Sequence, residues 1–277
     1  MAEITCVVNN TAQQESTLHS EHGLAFWIET GQNKVLLDTG QTAAVLSHNL
    51  ALLDLAPQDI DALALSHAHY DHTGGLHAVL SENKQLKIFA HTELFLPRYS
   101  LKEGKYQSIG LKISREELSS CAELHLSNDP QEIVPSIWTT GEITARPEVE
   151  GRSNHHFIRT DKGWQPDPYQ DDLSLVLKTS AGLVVICGCC HAGLLNTLFY
   201  IEHIFDEPMI AVVGGTHLNT ASDAYLSHVI GLIRKRYPDL HLYLNHCTGE
   251  RAIQAFIRSF GSRAEAFPAG RTIYFDD

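Results

Sequence analysis

The sequence predicts a mixed fold of the α/β (α+β) type, and three observations point there. Short apolar runs that read as strands open the chain in meander fashion and then alternate with helical stretches, and this succession occurs in both halves. Several strands end in a turn that carries histidine: after Ile60 to Leu65, after Val184 to Cys187, after Ala211 to Val213 and after Leu242 to Asn245. With 43% hydrophobic content, 277 residues can bury one large core, so residues 1–277 are read as a single domain.

Taken in order, Ile4 to Val8, Leu24 to Glu29 and Lys34 to Leu37 read as strands that close on the turn Asp38-Thr39-Gly40. A helix is expected from about Thr42 to Leu53, then the strand that delivers the first histidine motif. Gly74 and Gly75 lead into a short helix ending near Leu80, and Lys87 to Ala90 reads as a strand. Strand-like runs resume at Glu123 to Leu126, Ile137 to Thr140, Leu173 to Lys178 and Leu183 to Cys187. A helix from Gly193 to Ile204, a strand at Met209 to Val213, a helix from Ala221 to Tyr237 and a strand at His241 to Asn245 follow. Glu250 to Phe260 (helix) and Thr272 to Phe275 (strand) end the chain.

Between Pro97 and Gly110 the pattern weakens into a polar segment. It reads either as a surface loop or as a lid offering cations and aromatic rings to a substrate, since binding groups gather on loops over a rigid scaffold. Arg98, Tyr99 and Lys105 are the substrate-binding candidates on that second reading. Segments 97–118 and 141–172 are expected to be connections on the substrate side.

The charge of −13, from 20 basic and 33 acidic residues, disfavours a nucleic-acid partner, which needs a positive surface. No run approaches the roughly 18 to 20 apolar residues of a membrane span, and Met1-Ala2-Glu3-Ile4-Thr5 lacks the basic region of a secretory signal. The expected setting is cytoplasmic, and the expected partner is a small anionic molecule; no feature assigns an oligomeric state. Six cysteines, at positions 6, 121, 187, 189, 190 and 247, fit reduced thiols rather than a disulfide framework.

Ser66-His67-Ala68-His69-Tyr70-Asp71-His72-Thr73-Gly74-Gly75 is the segment that carries chemistry. His67 and His69 lie two apart, so on an extended backbone both rings face one way and can grip one cation. Asp71 and His72 diverge and can face a second cation. Imidazole with carboxylate is a donor set for zinc, iron or manganese rather than calcium or magnesium. Parallel strands end on one side of a sheet, where ligands bind, so the other histidine turns can meet this one.

These motifs resemble the metallo-β-lactamase superfamily, through His67-Ala68-His69-Tyr70-Asp71-His72 and Leu36-Leu37-Asp38-Thr39-Gly40. The branch of 7,8-dihydropterin-6-methyl-4-(β-D-ribofuranosyl)-aminobenzene-5′-phosphate synthase-like proteins is similar in further motifs. Those are Thr140-Gly141-Glu142-Ile143, Asp171-Asp172-Leu173-Ser174-Leu175, Gly188-Cys189-Cys190-His191-Ala192-Gly193, Gly214-Gly215-Thr216-His217-Leu218 and His246-Cys247-Thr248-Gly249.

The resemblance implies an αββα sandwich of two mixed sheets with helices outside and a metal site at one edge. It implies that His67 and His69 bind metal one, and that Asp71 and His72 serve metal two with His246. The superfamily's third histidine, in a Gly-His-Thr-Pro-Gly-type turn, has no counterpart; Thr140-Gly141-Glu142 stands near its place, and His191 is inferred to complete metal one. The usual bridging aspartate is replaced by Cys189, which either ligates as thiolate or lines the site. One or two divalent transition-metal ions are expected, zinc first, with iron or manganese as alternatives.

The function implied is hydrolysis of a small anionic phosphoester or pterin-like compound by metal-activated water. Asp71 either ligates metal two or orients the water. His217 donates a proton to the leaving group or stabilises the charged transition state, or else only braces His246. Asp38 is expected to orient a ligand histidine rather than ligate. The alternatives are the transferase-type synthase activity of the branch name and a catalytically inactive metal-binding sensor.

Overall fold

A computed structural model describes residues 1–31, 33–84 and 86–276. Among them, one sheet runs in the spatial order Thr272–Phe275, Ala2–Val8, Ala25–Thr30, Asn33–Leu37, Ala62–Ala64, Lys87–Ala90, Glu123–Leu126. A second runs Ala264–Ala266, His241–Leu244, Met209–Gly214, Gly182–Cys187, Ser174–Thr179, Ile137–Thr139, Gln131–Val134. Each sheet pairs antiparallel over three ladders and then parallel over three, so the two halves of the chain repeat one plan.

Period-two burial decides how these sheets stack. Val184 and Ile186 point inward and meet Ile4, Phe26, Ile28, Val35 and Leu37 of the first sheet in a shared core. Leu183 and Val185 point outward beneath helices Leu194–Ile204, Asp223–Arg236 and Glu250–Phe260, which contribute Leu195, Leu198, Val229, Ile233 and Phe256. Trp27, Leu36 and Leu63 face the other way, under Leu46 and Leu50 of helix Ala43–Leu52 and Leu76 and Val79 of helix Leu76–Leu80. The layers are therefore helix, sheet, sheet, helix, and the molecule is the mixed α/β sandwich expected. Thr42 caps the helix Ala43–Leu52 by accepting from the Val45 N–H, and Ser222 caps Asp223–Arg236 through the Tyr225 N–H. No helix among the described residues is long and apolar enough to cross a membrane.

The polar segment after Pro97 is not an irregular loop. Arg98–Lys102 and Lys105–Ser108 form a hairpin, closed by Glu103 and Gly104 at φ 51° and 75°, the left-handed pair of a type I′ turn. It joins a second hairpin, His156–Thr160 with Gly163–Pro166, in a four-stranded sheet, so the two expected connections meet as one structure. The remainder of 97–118 enters helix Arg115–Cys121, whose capping box pairs Ser114 with Glu117.

Arg98 fastens this small sheet to the sandwich. Its guanidinium is fully buried, 3.2 Å from Asp167 and 2.7 Å from Asp171, and it also donates to the carbonyls of Glu93 and Leu96. Burial, only partly countered by Arg98, lifts Asp167 to about 6. Removing the cation would strand two buried carboxylates. Arg98→Ala is therefore expected to lower unfolding free energy by about 3–5 kcal/mol in chemical denaturation. A loss near zero would contradict the anchoring role.

Candidate metal centre

Four histidine turns and one aspartate turn converge where strands of both sheets end. Backbone strain collects at the same place: Asp38, Tyr169, Cys190, His217 and His246 all adopt positive φ between 48° and 60°. Each such residue costs on the order of 1–3 kcal/mol, which surrounding structure must override. Gly188 admits a close approach: a Cβ there would sit 2.1 Å from Ser66 Oγ.

One donor group forms around His67. Ser66 Oγ donates its proton to Asp38 Oδ2 at 2.7 Å, so toward His67 Nδ1, 2.9 Å away, it can only accept. The ring's Nε2 is thereby the unprotonated nitrogen, and it meets His69 Nδ1 at 3.0 Å. His191 Nδ1 donates to the Gly151 carbonyl at 2.8 Å; its Nε2 is buried with no hydrogen-bond partner among the described residues. Donor atoms of His67, His191 and Cys189 all lie within 4.8 Å of one another, and the His69 ring is 5.1 Å from that of His191.

A second group adjoins it through the same thiol. His72 Nδ1 donates to Asp38 Oδ2 at 2.6 Å. His246 Nδ1 donates at 2.8 Å to Asn10 Oδ1, an atom that also accepts the Gly23 N–H and is thus the amide oxygen. His246 Nε2 then carries a lone pair, and it faces His72 Nε2 at 3.2 Å. Cys189 Sγ stands 3.2 Å from His72 Nε2, and Asp71 Oδ2 lies 3.6 and 3.5 Å from the two nitrogens. Asp71 also lies 3.1 Å from Nε2 of His22.

Electrostatics ask for positive charge here. Burial pushes His67, His69, His191 and His246 well below the ordinary imidazole range, which leaves them neutral and able to ligate. Burial alone would lower His72 too, but Asp38 and Asp71 outweigh it and lift the ring to about 9. Asp71, although buried, is held far below the usual carboxylate range by His72, His22 and His246. Burial and the neighbouring Cys247 push the Cys189 thiol well up, so it becomes thiolate only against a cation. Partnerless buried lone pairs, a carboxylate and a thiol at this spacing fit one or two transition-metal ions.

Two adjacent carboxylates hold the ligand turns in place. Asp171 Oδ2 accepts the Ala68 N–H between His67 and His69, while Asp172 Oδ2 accepts the Ala192 N–H beside His191. Arg98 pairs with Asp171, so the small sheet and the first histidine turn are linked through three residues.

The donors sit at the base of a cleft of about 930 Å³, lined among others by His156, His217, Lys102, Arg152 and Asn219. His217 is half-buried, its ring 4.4 Å from that of His191, and burial lowers it to about 4. Its Nδ1 has no partner among the described residues. Asp38 bonds His72 directly and Ser66 beside His67.

The structure places the three substrate-binding candidates away from the cleft lining. Arg98 is consumed by Asp167 and Asp171 beneath the surface. Tyr99 packs edge-on against Trp164 at 4.9 Å, and exposed Lys105 sits at the hairpin end; neither lines the cleft. Strand alternation turns Ser100 and Lys102 to it instead. Sequence reasoning also passed over Asn10, His22 and His156. Asn10 follows a strand end, the same position that singled out the histidine turns, and His156 sits in a segment read only as a connection.

A sandwich with convergent imidazole, carboxylate and thiol donors at its edge that could hold a metal ion defines a protein of the αββα class. The sequence profile described as the metallo-beta-lactamase superfamily matches residues 21–178. The chain belongs to that superfamily. It is 30% identical to the 7,8-dihydropterin-6-methyl-4-(beta-D-ribofuranosyl)-aminobenzene-5'-phosphate synthase of Methanocaldococcus jannaschii, over 99% of this chain and 96% of that one. An uncharacterized protein of the same organism is 31% identical over 90% of this chain and 92% of its own length. A solved structure described as a metal-dependent hydrolase of the β-lactamase superfamily superposes with TM-score 0.84 at 27% identity, covering all of both chains.

If Asp38 fixes the donors by orienting His72 directly and His67 through Ser66, Asp38→Ala should weaken metal affinity about 10–100-fold. Competition with a chromophoric chelator measures it, and unchanged affinity would remove Asp38 from the site's support.

Proposed function

We propose that the chain is a metal-dependent hydrolase of a small anionic substrate, a phosphoester or a pterin-like compound. His67, His69 and His191 would hold one divalent ion, zinc first with iron or manganese as alternatives, and Asp71, His72 and His246 a second. Cys189 stands between the two sets and would serve either as thiolate. The observation that carries this reading is the gathering of His72 Nε2, His246 Nε2, Cys189 Sγ and the Asp71 carboxylate, with the two nitrogens 3.2 Å apart and the carboxylate and thiol within 3.6 Å of His72 Nε2. Asp38 and Asp71 hold a positive charge on His72 here, and a divalent ion would take the place of that proton.

Such ions supply a Lewis acid that polarises a phosphoryl or carbonyl oxygen and lower the pKa of water from ~15.7 to about 7. The chain's own residues do the rest. His69, His156 and His217 face the cleft and bound the space left for the substrate. His217, with a ring nitrogen unclaimed by the protein, would pass a proton to the leaving oxygen once the anionic substrate has raised the ring above the value of about 4 that burial gives it. The hairpins of 97–118 and 141–172 form the substrate-side wall. A cytoplasmic setting agrees with an unpaired set of six thiols.

The second reading is synthase activity, favoured by the full-length similarity to a protein of that name. A panel of chromogenic phosphodiesters, lactones and thioesters, assayed with zinc, manganese and iron, separates the readings. Hydrolysis is expected. Turnover only with a dihydropterin and a ribofuranosylaminobenzene phosphate would favour the synthase, and bound metal without any turnover would favour a sensor. His217→Ala should cut kcat by about 10²–10⁴-fold with metal content unchanged, and full turnover would sink the proton-donor role.

A further inference from the structure

The small sheet presents a polar face beside the metal-ligand turns. His156 pairs directly across from Ser100, and Lys102 lies two residues further along the same face; all three line the cleft. The His156 ring is 5.1 Å from that of His69, so this face adjoins the first donor group.

His156 has a defined tautomer. Tyr169, buried and stacked on His191 at 4.1 Å, accepts the Ser153 N–H at its hydroxyl oxygen. Among the described residues the acceptor left for the hydroxyl proton is His156 Nδ1, at 2.8 Å. Nδ1 therefore accepts, and Nε2 carries the ring proton as a hydrogen-bond donor with no protein partner among the described residues. Lys102 makes no ion pair among them either, and the Ser100 hydroxyl makes no hydrogen bond there. Arg152, by contrast, is held by Glu150, whose carboxylate it shares with Arg146, each at 2.8 Å.

We propose that Ser100, Lys102 and His156 form a phosphate-binding wall that takes a second anionic group of the substrate, beside the group held at the metal-ligand turns. It rests on the hydrolase reading for the first group but not on turnover. An ammonium, a fixed N–H donor and a hydroxyl suit the oxygens of a phosphate. The chain's net charge is −13, but salt screens charges beyond about 8 Å, so local donors decide whether an anion is held. The substrate class is thus a molecule with two phosphoryl groups, or one phosphoryl group beside the reacting bond.

Calorimetric titration of the metal-bearing protein with inorganic pyrophosphate and with inorganic phosphate tests this. Pyrophosphate should bind at least about tenfold tighter than phosphate. Lys102→Gln and His156→Phe should each erase about tenfold of that preference, with phosphate affinity and metal content unchanged, and Lys102→Arg should retain it. Absence of the preference, or equal loss for both anions, would overturn the wall. Neither result depends on catalysis, so a failed hydrolase assay and a failed wall are told apart.

Discussion

Each ring nitrogen of a neutral histidine can either carry a proton or offer a lone pair, and this limit organises the whole site. His72, His191 and His246 give their Nδ1 protons to Asp38, the Gly151 carbonyl and Asn10, and His67 gives its own to Ser66. The Nε2 atoms of His67, His191 and His246 are left as acceptors. Burial keeps most of these rings neutral, and the carboxylates of Asp38 and Asp71 call for compensating positive charge. The oxygens that receive the Nδ1 protons thus decide the direction of every donor.

The rest of the fold holds those oxygens still. Asp38 and Ser66 sit at the ends of adjacent parallel strands, Asn33–Leu37 and Ala62–Ala64, so the orienting carboxylate and the histidine turn are fixed by one ladder. Asp171 and Asp172 tie the backbones of two distant turns, and Arg98 ties Asp171 to the small sheet. Strained backbone at Asp38, Cys190, His217 and His246 is tolerated because both sheets bury a large apolar core behind it.

Much of this was legible in the sequence for a physical reason. Strands such as Leu183 to Cys187 are apolar on both faces, and the histidine turns follow them directly, so position at a sheet edge could be read from order alone. What escaped was set by contacts far apart in the chain. Arg98 reads as a free cation until Asp167 and Asp171 close on it, some seventy residues later. Pro97 to Gly110 looked irregular because its hairpin has partners only in the third sheet; yet Glu103-Gly104 and the Ser114 to Glu117 capping box were local signals within reach. His156 gained a role only through Tyr169, which no spacing rule connects to it.

The central claim is that unprotonated imidazoles, a carboxylate and a thiol form two adjoining cation sites. Anomalous diffraction at the zinc edge, from crystals of protein purified without added metal and then supplied with zinc, tests it most directly. The account predicts two peaks: one among His67, His69 and His191, and one among Asp71, His72 and His246. A lone peak elsewhere on the surface, or no peak in the cleft, would contradict it.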